Sequence, residues 1–91
     1  MHRNRFLMRI THWLPIITFC PVNKLPDAIF ITVEFTGFAE LYAVRKAIRK
    51  TAAWRLDFME DIAQDVLEKF PEARAVELRL MFNKHHIRIE R

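Results

Sequence analysis

The chain carries one cysteine, Cys20, and seven residues later Asp27, with Pro21, Asn23 and Pro26 between them. A thiolate is a soft nucleophile for an electrophilic carbon such as that of a nitrile, and partial ionisation of the thiol is enough for attack. As the bond forms, negative charge builds on the nitrogen, where a neighbouring carboxylic acid can deliver a proton. Cys20 as nucleophile and Asp27 as general acid make one chemical unit if the intervening turn folds them together. The plainer roles open to the same residues are a small packed side chain for Cys20 and a turn cap for Asp27.

Three further groups bear on chemistry. Glu60 lies on the polar side of a helical pattern, where a carboxylate is ordinarily solvated surface. Turned into a pocket, it would pair with the two-pronged N–H edge of a guanine-like base. Arg45, Lys46, Arg49 and Lys50 form a basic helix face that is ordinarily solvated surface and is also the best candidate for phosphate contacts. The histidines suggest a metal, but His85 and His86 are adjacent on a strand and point to opposite sides, and no paired cysteine spacing exists, so no metal site is expected.

The elements that must position these residues are legible as changes of hydrophobic period. Arg5 to Thr18 is rich in β-branched and aromatic residues and reads as a strand broken near Pro15, followed by a turn over Cys20–Asp27. Ala28–Thr36 alternates strictly, with Ile29, Ile31, Val33 and Phe35 on one face. After Gly37 the period becomes helical through Leu41, Val44 and Ile48. A second helix is expected from about Arg55 to Lys69, with Phe58, Ile62, Ala63, Val66, Leu67 and Phe70 as its apolar stripe. Pro71 stops it. Val76, Leu78, Leu80 and Phe82 then alternate as a third strand, Asn83-Lys84 turns, and Ile87 and Ile89 mark a fourth. The expectation is an α+β fold, ββααββ, with two helices on one face of a four-stranded antiparallel sheet, and residues 1–91 forming one domain.

Composition sets the frame. In 91 residues, 52% are hydrophobic, more than one small core hides, and a sheet with a bare face and two open edges calls for a cover. Continuation of the sheet from subunit to subunit into a symmetric ring would close it as a barrel, placing sites at subunit junctions. Fifteen Lys+Arg against eleven Asp+Glu suit a polyanionic partner. The apolar stretch from Trp13 to Val22 is too short to span a bilayer, and a lone cysteine suits a reducing compartment, so a cytoplasmic location without membrane contact is expected.

Phe19-Cys20-Pro21-Val22-Asn23-Lys24-Leu25-Pro26-Asp27 resembles the F/L-C-P-V-T-G-Q-P-D stretch of the nitrile reductases of queuosine biosynthesis (QueF), which have the tunnelling fold. Phe58-Met59-Glu60-Asp61 is similar to their F-H-E-D. The resemblance implies a catalytic Cys20 and Asp27, a base-gripping Glu60 and an aromatic Phe58 beside the base. It departs where the family's E-S-K-S-L-K segment, tied to NADPH, is here Glu40-Leu41-Tyr42-Ala43-Val44-Arg45. R-G-G-I becomes Lys84-His85-His86-Ile87, and the His beside the Glu becomes Met59.

Covalent capture without hydride delivery resembles the QueF-like archaeosine synthases, amidinotransferases acting on 7-cyano-7-deazaguanine already in tRNA. The implied reaction uses ammonia as co-substrate and no NADPH or other cofactor, on a homo-oligomer, a pentameric ring or a pair of stacked rings. The readings set against it are an NADPH-dependent reductase of the free base and a non-catalytic tunnelling-fold module that binds a purine or RNA.

Overall fold

A computed structural model describes residues 9–37, 40–82 and 84–91. The elements run β1 (Ile10–Phe19), β2 (Pro26–Phe35), α1 (Leu41–Ala52), α2 (Met59–Lys69), β3 (Ala73–Leu80) and β4 (His86–Glu90). The strands form one antiparallel sheet in the order β1-β2-β3-β4, which is the expected ββααββ, α+β arrangement.

Strict alternation in β2 sends Ile29, Ile31, Val33 and Phe35 to one face, where all four are buried. Leu14 and Ile16 from β1 and Val76 and Leu78 from β3 extend that layer. Both helices cover it. Val44, Ile48 and Ala52 of α1 and Ile62, Ala63 and Val66 of α2 supply the opposing side of the core. Helix α1 packs over β1, and α2 over β3 and β4. The other face of the sheet has no helix on it among the described residues.

Four expectations are corrected. β1 does not break at Pro15, which pairs in register with Phe30; β1 is an edge strand, where a residue without an N–H leaves no ladder bond unmade on its outer side. Residues 5–8 of the expected strand lie outside the described residues. The turn is shorter than expected, because Pro26 and Asp27 already pair with Phe19 and Thr18 as the first residues of β2. Phe82 is 87% exposed, beyond the end of β3 at Leu80, because the chain leaves the ladder after the pairing of Arg79 with His86. Helix α2 begins at Met59 instead of near Arg55, and Phe58 is 51% exposed at its N-cap, outside the core stripe.

The reason for the last difference lies in competing backbone partners. The N–H of Trp54 donates to the carbonyl of Ile17 at 2.6 Å, and the N–H of Phe19 donates to the carbonyl of Arg55 at 2.7 Å. Leu56 makes a parallel bridge to Phe19. Residues 53–58 are thereby drawn out as a strap along the end of β1 and cannot enter the helix. Arg55 fixes the strap to both helices. Its guanidinium contacts Asp57 at 2.7 Å and Asp65 of α2 at 2.7 Å, and it donates to the carbonyl of Thr51 in α1 at 3.2 Å.

The helix ends are also held by identifiable groups. Glu40 caps α1 with both carboxylate oxygens, accepting from the backbone N–H of Tyr42 at 3.0 Å and of Ala43 at 2.6 Å. These two hydrogen bonds, that from Ala43 foremost, hold the Glu40 carboxyl below its ordinary pKa. Arg91 places its guanidinium on the carbonyls of Leu67 and Phe70, satisfying the last turn of α2 and opposing its dipole.

Candidate active site

Three connections meet at one end of the layer between sheet and helices: the β1–β2 turn, the strap between α1 and α2, and the β3–β4 connection. They enclose an open cleft of about 250 Å³. Cys20, Asp27, Phe58 and Glu60 all line it, together with His85.

The turn holds Cys20 through its backbone. Cys20 donates its N–H to the carbonyl of Leu25 at 3.1 Å, and its own carbonyl accepts from Lys24 at 2.7 Å. Asn23 Oδ1 accepts from the N–H of Leu25 at 3.0 Å, the side-chain-to-backbone bond that makes asparagine a turn former. Lys24 closes the turn at φ 60°, in the left-handed region that favours glycine. Across the hairpin, Asp27 pairs directly with Thr18. Cys20 is two residues further on from Thr18, so it is a diagonal neighbour of Asp27, a relation that places side chains about 7–8 Å apart in a regular ladder. Both are half-buried, and Cys20 is a free thiol.

Phe58 and Glu60 arrive from the strap and the first turn of α2. Phe58 offers an exposed ring as N-cap but no side-chain acceptor, so the first N–H groups of α2 are left uncapped beside the cleft. Glu60 is solvent-exposed and yet contributes to the cleft wall. Asp57 joins it there, already paired with Arg55. His85 comes from the connection before β4, where its carbonyl accepts from the N–H of Leu80 at 3.0 Å.

The four residues singled out in the sequence for catalysis and base binding thus share one cleft. The basic residues do not: Arg45, Lys46, Arg49 and Lys50 are on α1, outside it. Lys46, Arg49 and Lys50 are exposed, whereas Arg45 is half-buried with Nε unpaired. His85 is the cleft residue that the sequence reading left without a role, and its signal was the replacement of R-G-G-I by Lys84-His85-His86-Ile87. Among the described residues no group of three His, Cys, Asp or Glu side chains is placed to hold a metal ion. No helix there is long and apolar enough to cross a membrane.

Fold and cleft define an α+β, ββααββ chain with a lone thiol and a carboxyl at one end of its sheet. Among solved structures, the chain is similar to the archaeosine synthase QueF-Like in its apo form, with a TM-score of 0.69 over 90% of this chain and 91% of that one, at 19% sequence identity. The two share a fold. No protein-family model matches the sequence, and a search of curated proteins finds no match.

Proposed function

We propose that this protein is an amidinotransferase that converts the nitrile of 7-cyano-7-deazaguanine in tRNA to the formamidine of archaeosine. The observation that carries the reading is the convergence on one cleft of Cys20 and Asp27 from the β1–β2 hairpin with Phe58 and Glu60 from the strap and the start of α2. The shared fold with the archaeosine synthase QueF-Like supports the same class of substrate.

In this mechanism the Cys20 thiolate adds to the nitrile carbon, and the C≡N bond becomes the C=N–H of a thioimide as Asp27 delivers a proton to nitrogen. Ammonia then adds to that carbon, and the C–S bond breaks to release the thiolate. The sum is R–C≡N plus NH₃ giving R–C(=NH)NH₂, with no change of oxidation state and therefore no call for NADPH. Glu60 accepts from the N–H edge of the base, and Phe58 gives the base an apolar surface. His85, which lines the same cleft, accepts the proton that attacking ammonia loses, and that proton returns to Asp27 to complete the cycle. The subunit works within a homo-oligomeric ring, in which a neighbour completes the walls of an open cleft.

The test is incubation with tRNA carrying 7-cyano-7-deazaguanine and an ammonium salt, followed by nucleoside analysis. Formamidine product is expected. Its absence with folded protein, or NADPH consumption on the free base in its place, overturns the reading.

A further inference from the structure

A second cleft, of about 430 Å³, lies between β1, the end of α1 and Trp54 of the strap, and shares no lining residue with the Cys20 cleft. Pro15 and Ile17 of β1 form part of its apolar wall, Arg49 and Lys50 from the last turn of α1 bring positive charge, and Trp54 lines it from the strap. We infer that this cleft binds an unpaired RNA nucleotide, its base stacked on Trp54 and its phosphate held by Arg49 and Lys50. The inference rests on the tRNA reading above and supplies a binding surface for it.

Trp54 is 69% exposed, and its backbone is nevertheless tightly fixed. It sits at φ 65°, a conformation unfavourable for any L residue with a bulky side chain and maintained only where the surroundings enforce it. The enforcing contacts are its N–H bond to Ile17 and the adjacent bond from Phe19 to Arg55. Phe19 adds a second ring, 6.5 Å away between centroids and tilted by 34°. An indole presented on a fixed backbone loses little freedom when a flat partner settles on it.

Charge selects the partner. Arg49 and Lys50 are exposed, and among the described residues neither is in an ion pair. No carboxylate lines the cleft. A ligand that is flat and apolar on one side and anionic on the other fits, and a nucleotide is both. Exposed Lys46 carries the positive charge one turn further along α1.

Position ties this surface to RNA in particular. Trp54 and Phe58 are four residues apart on the strap, at most about 14 Å even when fully extended. A strand that places one base against Phe58 in the Cys20 cleft therefore has its neighbouring nucleotides within reach of Trp54. Unpaired bases splayed from an RNA loop are the ones available for such stacking.

The experiment measures the affinity of the full chain for an unmodified tRNA transcript across a series of salt concentrations. Trp54→Gly suits the backbone at this φ and so preserves the fold, which thermal melting verifies, and Trp54→Phe keeps a stacking ring. Trp54→Gly is expected to weaken binding about tenfold or more, and Trp54→Phe to restore most of it. Arg49→Ala with Lys50→Ala should reduce the steepness of the log–log salt dependence by about two. Wild-type affinity in Trp54→Gly, or no binding by the wild type, overturns the inference. So does a change in particle mass by light scattering in Trp54→Gly, which would assign the cleft to a second copy of the chain. Thioimide formation by the wild type with the free nitrile base is read in parallel by intact mass. A chain that binds the transcript through Trp54 but forms no adduct supports the cleft and removes only the catalytic reading.

Discussion

A sulfur and a carboxyl at the end of a hairpin can do nitrile chemistry only if the turn holds them still, and here the turn does so at a measurable cost. Lys24 occupies the left-handed region at φ 60°, in the position where the resembling reductase motif has glycine. Lys24→Gly should therefore raise stability by about 0.5–1 kcal/mol, the relief of backbone strain less the entropy of glycine. A urea melt checks this, and a loss of stability would mean that the lysine side chain contributes more than the strain costs. For the chemistry itself, Cys20→Ala should abolish the thioimide adduct seen by intact mass with the free base. Asp27→Asn should keep base binding while slowing adduct formation by roughly 10²–10⁴, the usual worth of a positioned acid. An Asp27→Asn protein that forms adduct at the wild-type rate would return Asp27 to a turn-capping role.

The elements show how far local pattern reaches and where it stops. Arg55 joins the strap to Thr51, Asp57 and Asp65, so Arg55→Ala should lower stability by about 1–2 kcal/mol, a modest figure because both carboxylates remain substantially in water. Adduct formation should slow with it, whereas Arg91→Ala, which uncaps the far end of α2, should destabilise the fold without slowing the chemistry of folded molecules. Equal effects on the adduct rate would remove the strap from the positioning of Phe58 and Glu60. At the start of α1, Glu40 has a depressed pKa because its carboxylate accepts from Ala43 and Tyr42. A depressed carboxyl stabilises above its ordinary value of 4.5, and the benefit is lost as pH falls through the lower folded value. Protection of the Tyr42 and Ala43 amides should thus exceed that in Glu40→Gln near neutrality and converge with it in acid. The strands and the cores of both helices were readable in advance because Ile29 to Phe35 and Ile62 to Val66 each obey one period. The start of α2 was not, since Phe58 fits the helical stripe by spacing and is excluded by hydrogen bonds to β1, which leave no local trace. The place of Glu60 in the cleft wall was legible only through its motif, because spacing alone marked it as surface.

At the scale of the whole molecule, the face of the sheet turned away from the helices is the feature that a lone subunit explains least. Trp13 is 61% exposed there, edge-on to Phe30 with ring centroids 5.7 Å apart, and the two line a crevice of about 290 Å³ with Thr32, Glu77 and Arg79. Further along the same face the surface turns polar: Arg88 meets Glu34 at 3.1 Å, Glu90 at 2.6 Å and Glu77 at 3.9 Å. β1 and β4 stand at the two edges of the sheet. Burying the aromatic half and pairing the edges are both achieved when sheets join side by side around an axis, because each copy then offers the part of β1 before Pro15, which the strap leaves open, to the β4 of the next, and the bare faces line a shared interior. Trp13→Glu places a charge in that interior without touching the helix-side core, so it should break the ring while the isolated subunit keeps its secondary structure. Light scattering should show the mass fall toward 11.0 kDa, and adduct formation should fall in parallel if a neighbour completes the Cys20 cleft. A wild-type chain already monomeric at working concentration, and fully able to form the adduct, would show that the cleft is complete within one subunit and that the exposed Trp13 and Phe30 serve some other contact.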